Sequence, residues 1–220
     1  MTVAWARPAR AEVILDRLDD GERARCAQLL RPSDRDRYAS AHVLLRAELG
    51  RVLGADPSGF RFAATCRLCG GPHGRPRLLD QLGIEVSLSH AGERVAVAIS
   101  TVGAVGVDVE LDSACAFDGF ADVALGPAER PAPPDAHERA VIWTRKEALL
   151  KSVGFGLAIA PDRVVVSAPA AAPRLVKWSA PDDPRPVHLV DVDIGPRHAA
   201  SVAALCAQPP AVRLRPTRLD

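Results

Sequence analysis

Between Glu85 and Glu110 the chain holds three apolar runs separated only by short turns: Glu85-Val-Ser-Leu-Ser-His90, Val95-Ala-Val-Ala-Ile-Ser100 and Ala104-Val-Gly-Val-Asp-Val-Glu110. A link as short as Ala91-Gly92-Glu93 joins antiparallel neighbours, so the three runs in succession specify an antiparallel sheet. Helices precede them. Apolar residues recur three and four apart at Tyr38, Ala41, Leu44, Leu45, Leu49, Val52 and Leu53, which predicts a helix over Ser33 to Leu53 with Ser33, after Pro32, as its cap. Asp19 to Leu30 reads as another helix, and Gly54-Ala55-Asp56-Pro57 ends the pair.

After the proline-rich stretch Gly126 to Asp135 the pattern repeats in outline. Ala136 to Val153 reads as a helix capped by Asp135, followed by strands over Asp162 to Ala168, Arg174 to Ser179, Val187 to Asp193 and Ala199 to Ala207. The turn and small-residue strand of Ser89 to Ala98 resemble those of Gly195 to Ala204. The expected architecture is α+β, with two pseudo-symmetric subdomains, each an antiparallel sheet packed with helices. Their bounds are 1–112 and 113–210, and 211–220 is expected to form a loose tail.

Composition narrows the class. The chain has 220 residues, 28 Lys plus Arg against 27 Asp plus Glu, 48% hydrophobic residues and 4% aromatics, the balance of a compact protein with a core of Ala, Val and Leu. A net charge of +1 argues against a protein built for broad attraction to nucleic acid or membrane. No signal-like or membrane-spanning apolar run is found, and a cytoplasmic protein is expected. Cys26, Cys66, Cys69, Cys115 and Cys206 are scattered, unlike a disulfide framework. Cys66, Cys69 and His73 have the spacing of a small zinc knuckle without a fourth ligand. A pair of reduced cysteines in a turn is the favoured reading. Cys26, Cys115 and Cys206 are expected as buried fillers.

Three clusters carry chemistry. Asp108 and Glu110 share one face of a strand, where two carboxylates either bind a hard divalent cation or sit solvated. Glu147 and Lys151, four apart on a helix, form either a surface ion pair or a set in which Glu147 completes a metal site or acts as a base while Lys151 neutralises phosphate charge. Gly154 and Gly156 follow and allow a tight turn near a ligand. Gly74-Arg75-Pro76, with Ser87, Ser89, His90 and the upstream Arg46, can grip several phosphates, guanidinium groups binding phosphate oxygens in pairs, or form a solvated loop.

Gly74-Arg75-Pro76, Ser89-His90, Gly106-Val107-Asp108-Val109-Glu110 and Trp143-Thr144-Arg145-Lys146-Glu147-Ala148-Leu149-Leu150-Lys151 occur together and in this order. In this the chain resembles the Sfp-type 4′-phosphopantetheinyl transferases, well over Tyr38 to Leu157 and weakly elsewhere. The resemblance implies transfer of the phosphopantetheine arm of coenzyme A to a serine of an acyl or peptidyl carrier protein, releasing adenosine 3′,5′-bisphosphate. It implies a divalent cation, Mg²⁺ or Mn²⁺, held by Asp108, Glu110 and Glu147. Lys151 would add charge or protonate the leaving group, and Glu147, directly or through a water, would take the proton of the carrier serine. Arg46, Arg75, Ser89, His90 and Lys151 would bind coenzyme A. A tandem repeat holding its site within one chain implies a monomer, with no nucleic-acid or membrane partner. Arg75 replaces the lysine common at its position, and the segment Ala116 to Asp135 departs from the family where the carrier docks.

Two other classes compete: a zinc-knuckle nucleic-acid binder using Arg67, Arg75 and Arg77, and a different Mg²⁺-dependent phosphotransferase. The near-zero charge weighs against the first. The second would need a Gly-x-x-x-x-Gly-Lys-Ser/Thr loop, which the sequence lacks.

Overall fold

The computed structural model describes residues 1–65, 69–71, 74–79, 83–133 and 135–219. Cys66, Arg67 and His73 lie outside them, so the zinc-knuckle question falls outside the described residues. In chain order the elements are β1 (Thr2–Ala6), α1 (Ala11–Ile14), α2 (Asp20–Ala27), α3 (Pro32–Leu53), β2 (Phe62–Ala63), β3 (Arg77–Leu78), β4 (Glu85–Ala91), β5 (Arg94–Ser100) and β6 (Val105–Leu111). Then follow α4 (Phe120–Ala124), α5 (Ala136–Val153), β7 (Val164–Val166), β8 (Leu175–Trp178), β9 (Val187–Asp191), β10 (His198–Leu205) and β11 (Arg213–Pro216).

Helix ends follow local chemistry. Asp19 and Glu22 form a reciprocal capping box on α2. Asp135 accepts the backbone N–H groups of His137 and Glu138 at the start of α5. For α3 the expected cap is corrected. The helix starts at Pro32, whose fixed φ suits the first helical position, so Ser33 lies inside the first turn and Arg31 precedes it without a side-chain cap.

Two sheets form the centre, in the orders β11-β1-β5-β4 and β6-β10-β9. Within each, a strand, a helix and a hairpin recur: β1, α3, β4 and β5 in the first, β6, α5, β9 and β10 in the second. The last strand of each set is an interior strand of its sheet. This is the mixed α and antiparallel β architecture that the sequence specifies. Strand β6 is a correction in detail, since it pairs with β10 rather than with the two strands before it. Its chain crosses to the other layer at Gly103, where a Cβ would lie 1.9 Å from Leu205 O.

Alternation along the strands produces four layers. Val95, Val97 and Ile99 of β5 join Leu44, Leu45 and Leu49 of α3 in one core, while Ala96 and Ala98 face Val105, Val107, Val109, Ala200 and Val202 across the sheets. Ala199 and Ala203 of β10 pack with Ala148 and Leu149 of α5. The shortage of aromatics suits this arrangement, because Val and Ala with Ile194 fill the space between the sheets, and Trp5 is only partly buried beside them. Cys26 and Cys115 are buried, and Cys206 is half-buried.

Residues 211–219 are not a loose tail. β11 pairs in parallel with β1, and Leu219 is buried in the α3 core. Strand β1 leaves one edge open after pairing with β5, and Arg213 N–H to Met1 O and Thr217 N–H to Trp5 O close it.

Candidate active site

The acidic strand and the helix of the second half meet at a glycine. A Cβ on Gly106 would lie 2.0 Å from Ala148 O and 2.5 Å from Ser152 N, so only glycine lets α5 rest on the backbone of β6. That close approach brings Glu147 and Lys151, which flank Ala148 on the helix, over Asp108. Lys151 Nζ donates to Asp108 Oδ1 at 2.6 Å, to Ser89 Oγ at 3.0 Å and to Val107 O at 3.2 Å.

Ser87 and Ser89 join the two sheets. Their hydroxyls accept the backbone N–H groups of Val107 and Val109 at 3.0 and 3.3 Å, where a paired strand would offer carbonyls. Ser89 also donates to Asp108 Oδ1 at 2.8 Å. With one donor and two acceptor positions in use, its hydroxyl is fully committed, so Ser89 holds Asp108 and Lys151 in place and has no bond left for coenzyme A.

The acids divide. Asp108 and Glu147 are 5% and 7% exposed, and Asp108 Oδ2 and Glu147 Oε1 are buried without any hydrogen-bond partner. Burial, with the Asp108 charge beside it, pushes the Glu147 carboxyl up to about 7 despite the opposing charge of Lys151. Glu110 is half-buried, and its Oε1 accepts the N–H of Leu111 at 2.8 Å. Its carboxyl is raised by burial, and Asp108 adds to that. Among the described residues no three acidic, His or Cys side chains close into a metal cluster, because Glu110 turns to its own backbone and Lys151 holds Asp108. Two orphaned carboxylate oxygens on acids close enough for their charges to interact are nonetheless the hard donors that Mg²⁺ or Mn²⁺ takes.

The basic residues also divide. Arg75 donates to Glu85 Oε2 at 2.5 Å and to Ser152 O at 3.2 Å, linking β4 to the end of α5, and its Nε is buried without a partner. Burial lowers its pKa, against the favourable charge of Glu85. It lines a cavity of about 660 Å³ with Thr65, Arg77 and Gly154, the residue whose left-handed φ of 78° ends α5. His90 reaches the surface at the end of β4, its pKa lowered by the protein around the ring and by the positive charges of Arg37 and Lys151.

Arg46 does not belong to the site. It is 2% exposed, bonded to Glu22, Asp19, Pro57 O and Phe60 O, and stacked over Phe62. Its guanidinium ties α2 and α3 to the loop after α3, and a phosphate cannot reach it. Sequence reasoning missed Arg37, which pairs with Asp34 and donates to Gly92 O at 3.4 Å. No motif marks it. Lys146, within the helix motif, is fully buried and bonded to Glu129, Ala124 O and Pro161 O, so it anchors α5 rather than facing the site.

Residues 104–206 match the model of the 4′-phosphopantetheinyl transferase superfamily. The chain is 28% identical over 183 residues to 4′-phosphopantetheinyl transferase HetI of Nostoc sp. (strain PCC 7120), covering 76% of this chain and 75% of that protein. Residues 104–206 thus carry a 4′-phosphopantetheinyl transferase superfamily domain. A second superfamily relative, slr0495 of Synechocystis sp. (strain PCC 6803), named for the same transferase, is 28% identical over 162 residues, 67% of this chain and 61% of that one. The superfamily match contains β6, α5, β9 and β10 with Asp108, Glu110, Glu147 and Lys151. Arg75, Ser89 and His90 lie before it, and their parts rest on geometry. No helix among the described residues is long and apolar enough to cross a membrane.

Proposed function

We propose that this transferase moves the 4′-phosphopantetheine arm of coenzyme A to a serine of an acyl or peptidyl carrier protein and that it uses a divalent cation. The observation that carries this reading is the pair of buried, unpartnered oxygens, Asp108 Oδ2 and Glu147 Oε1, beside Lys151 at the seam of the two sheets. Asp108, Glu110 and Glu147 would hold the cation through their carboxylate oxygens. When bound, Mg²⁺ or Mn²⁺ neutralises charge on the pyrophosphate.

The carrier serine Oγ bonds to the phosphorus bearing the pantetheine arm, and the pyrophosphate P–O bond breaks to release adenosine 3′,5′-bisphosphate. Glu147 takes the serine proton, directly or through a water. Lys151 Nζ, held by Ser89 and Val107 O, sets positive charge or a proton beside the departing phosphate. Arg75 and Arg37 supply further positive charge for the phosphates, and His90 a hydrogen-bonding ring nitrogen. The site is assembled within one chain, which supports action as a monomer.

Intact-mass spectrometry of apo carrier proteins incubated with this protein, coenzyme A and Mg²⁺ tests the reading, with EDTA and Glu147→Ala as controls. A metal-dependent gain of one phosphopantetheine is expected. No gain across acyl and peptidyl carriers, together with no calorimetric binding of coenzyme A, overturns it.

A further inference from the structure

The two sheets meet at a second place that the transfer chemistry does not use. The β4–β5 hairpin carries Gly92 and Arg94, and the β9–β10 hairpin carries Gly195 and His198. Each hairpin sends one side chain onto the other's glycine. Arg94, 5% exposed, lies over the Trp5 ring at 5.1 Å and donates from Nε to Ile194 O at 2.6 Å. A Cβ on Gly195 would stand 2.8 Å from Arg94 Nη2. In return His198, 6% exposed, accepts the Glu93 N–H at Nε2 (3.4 Å) and donates from Nδ1 to Pro196 O (3.1 Å). A Cβ on Gly92 would stand 2.6 Å from His198 Nε2.

Both glycines have positive φ, 52° at Gly92 and 94° at Gly195. Each therefore provides a turn and a landing for a polar side chain from the opposite sheet. Arg94 and His198 are costlier in a buried joint than apolar residues of similar size, and directional bonds are what they add.

The joint adjoins the proposed site on both sides. Gly92 lies two residues after His90, and a Cβ there would also stand 3.2 Å from Leu111 Cδ1. Leu111 follows Glu110 and pairs with His198 across the second sheet. Ser87 and Ser89 fasten the middle of β4 to β6, and the reciprocal clasp fastens the ends.

We infer that Arg94 and His198 are positioning residues whose reciprocal clasp sets the strand end bearing His90 against the strand bearing Asp108 and Glu110, and so fixes the grip on the phosphates of coenzyme A. The inference rests on the transferase reading above and adds the residues that set its geometry. Neither side chain touches substrate.

The test combines calorimetric binding of coenzyme A with Mg²⁺, steady-state kinetics, and amide hydrogen exchange at Val107 and Val109, which reports on the seam without substrate. Arg94→Ala and His198→Ala are each expected to raise Kd and KM for coenzyme A about tenfold with kcat changed less than about threefold, because displacement of a binding group costs the grip first. Exchange at Val107 and Val109 is expected to quicken while α3 and α5 stay protected. His198→Gln, whose amide oxygen can accept the Glu93 N–H, is expected to restore most of the affinity. Gly92→Ala is expected to weaken binding by itself, and in the His198→Ala background only the part due to the clash with His198 is expected to vanish, leaving the strain of the left-handed backbone.

Unchanged Kd and seam exchange in both alanine variants would overturn the inference. So would a His198→Gln variant no better than His198→Ala. Wild-type protein that binds no coenzyme A, with seam exchange still quickened by the variants, would instead sink the transferase reading and the role given to His90, leaving the clasp a joint between sheets.

Discussion

Lys151 Nζ stands 2.6 Å from Asp108 Oδ1, while the second oxygen of the same carboxylate is buried with no partner. One oxygen is thus held by the chain and the other kept open. Removing the ammonium leaves a buried carboxylate with Ser89 as its remaining partner. Lys151→Ala is therefore expected to cost about 1–3 kcal/mol of stability without divalent cation, the range for stranding a buried polar group, with the part exposure of the lysine keeping it below the cost in a sealed core. Saturating Mg²⁺ is expected to recover part of that loss by neutralising Asp108. Urea unfolding with and without Mg²⁺ measures both, and a loss that Mg²⁺ leaves untouched would remove Asp108 from the cation site.

Glu147 makes stability depend on pH. Its carboxyl is raised from 4.5 to about 7 without cation, so the folded state binds the extra proton across that window. The contribution is fully present below the unfolded pKa and is lost as pH rises through 7. The metal-free protein is expected to lose on the order of 3 kcal/mol from this group between pH 4.5 and 8, and Glu147→Gln to flatten that part of the curve. Cation binding needs the deprotonated group, so Mg²⁺ stabilisation is expected to grow with pH over the same range. Thermal unfolding of both proteins from pH 5 to 8 checks the slope, and parallel curves would refute it.

Gly106 is a steric requirement of the site. Its Cβ would lie 2.0 Å from a helix carbonyl, which a rotamer change cannot relieve. Gly106→Ala is expected to push α5 from β6 at a cost of about 1–3 kcal/mol or more. Because Glu147 and Lys151 ride on that helix, coenzyme A affinity is expected to fall further than the stability loss alone explains. Calorimetry on the fraction that remains folded is the measurement, and wild-type affinity there would show that the contact does not set the site.

Much of this was legible in the sequence because period-2 and helical patterns are local. Ala136 to Val153 is found with both ends right, since Asp135 and Gly154 punctuate it. Asp108, Glu147 and Lys151 converge as their motif order implies. What escaped depends on contacts distant in sequence. Thr2–Ala6 is buried on both faces and so shows no alternation, and the tail forms a strand only because β1 leaves an edge open. The assignment of β6 fails for a similar reason, as a short turn specifies a neighbour without specifying its sheet. Arg46 looks like any helix arginine until Glu22 and Asp19 fold onto it.

Arg46 and Arg75 give opposite expectations, and comparing them tests the division of the basic residues. Arg46 is enclosed by two carboxylates and two carbonyls. Burial alone would raise Glu22, and its contacts with His42 and Arg46 override this and hold the carboxyl below its ordinary value. Arg46→Met removes one partner of that buried acid and leaves it His42 and the Asp19 N–H, so a loss of about 1–3 kcal/mol is expected, with KM for coenzyme A unchanged in the folded fraction. Arg75 lies at a cavity wall, bonded to the partly exposed Glu85 and to Ser152 O, so Arg75→Met is expected to cost about 1 kcal/mol of stability. Its KM for coenzyme A is expected to rise about tenfold or more, the loss of one charge-assisted phosphate contact. Chemical denaturation and coenzyme A titration of both variants decide the matter, and a KM effect from Arg46 with none from Arg75 would reverse the assignment.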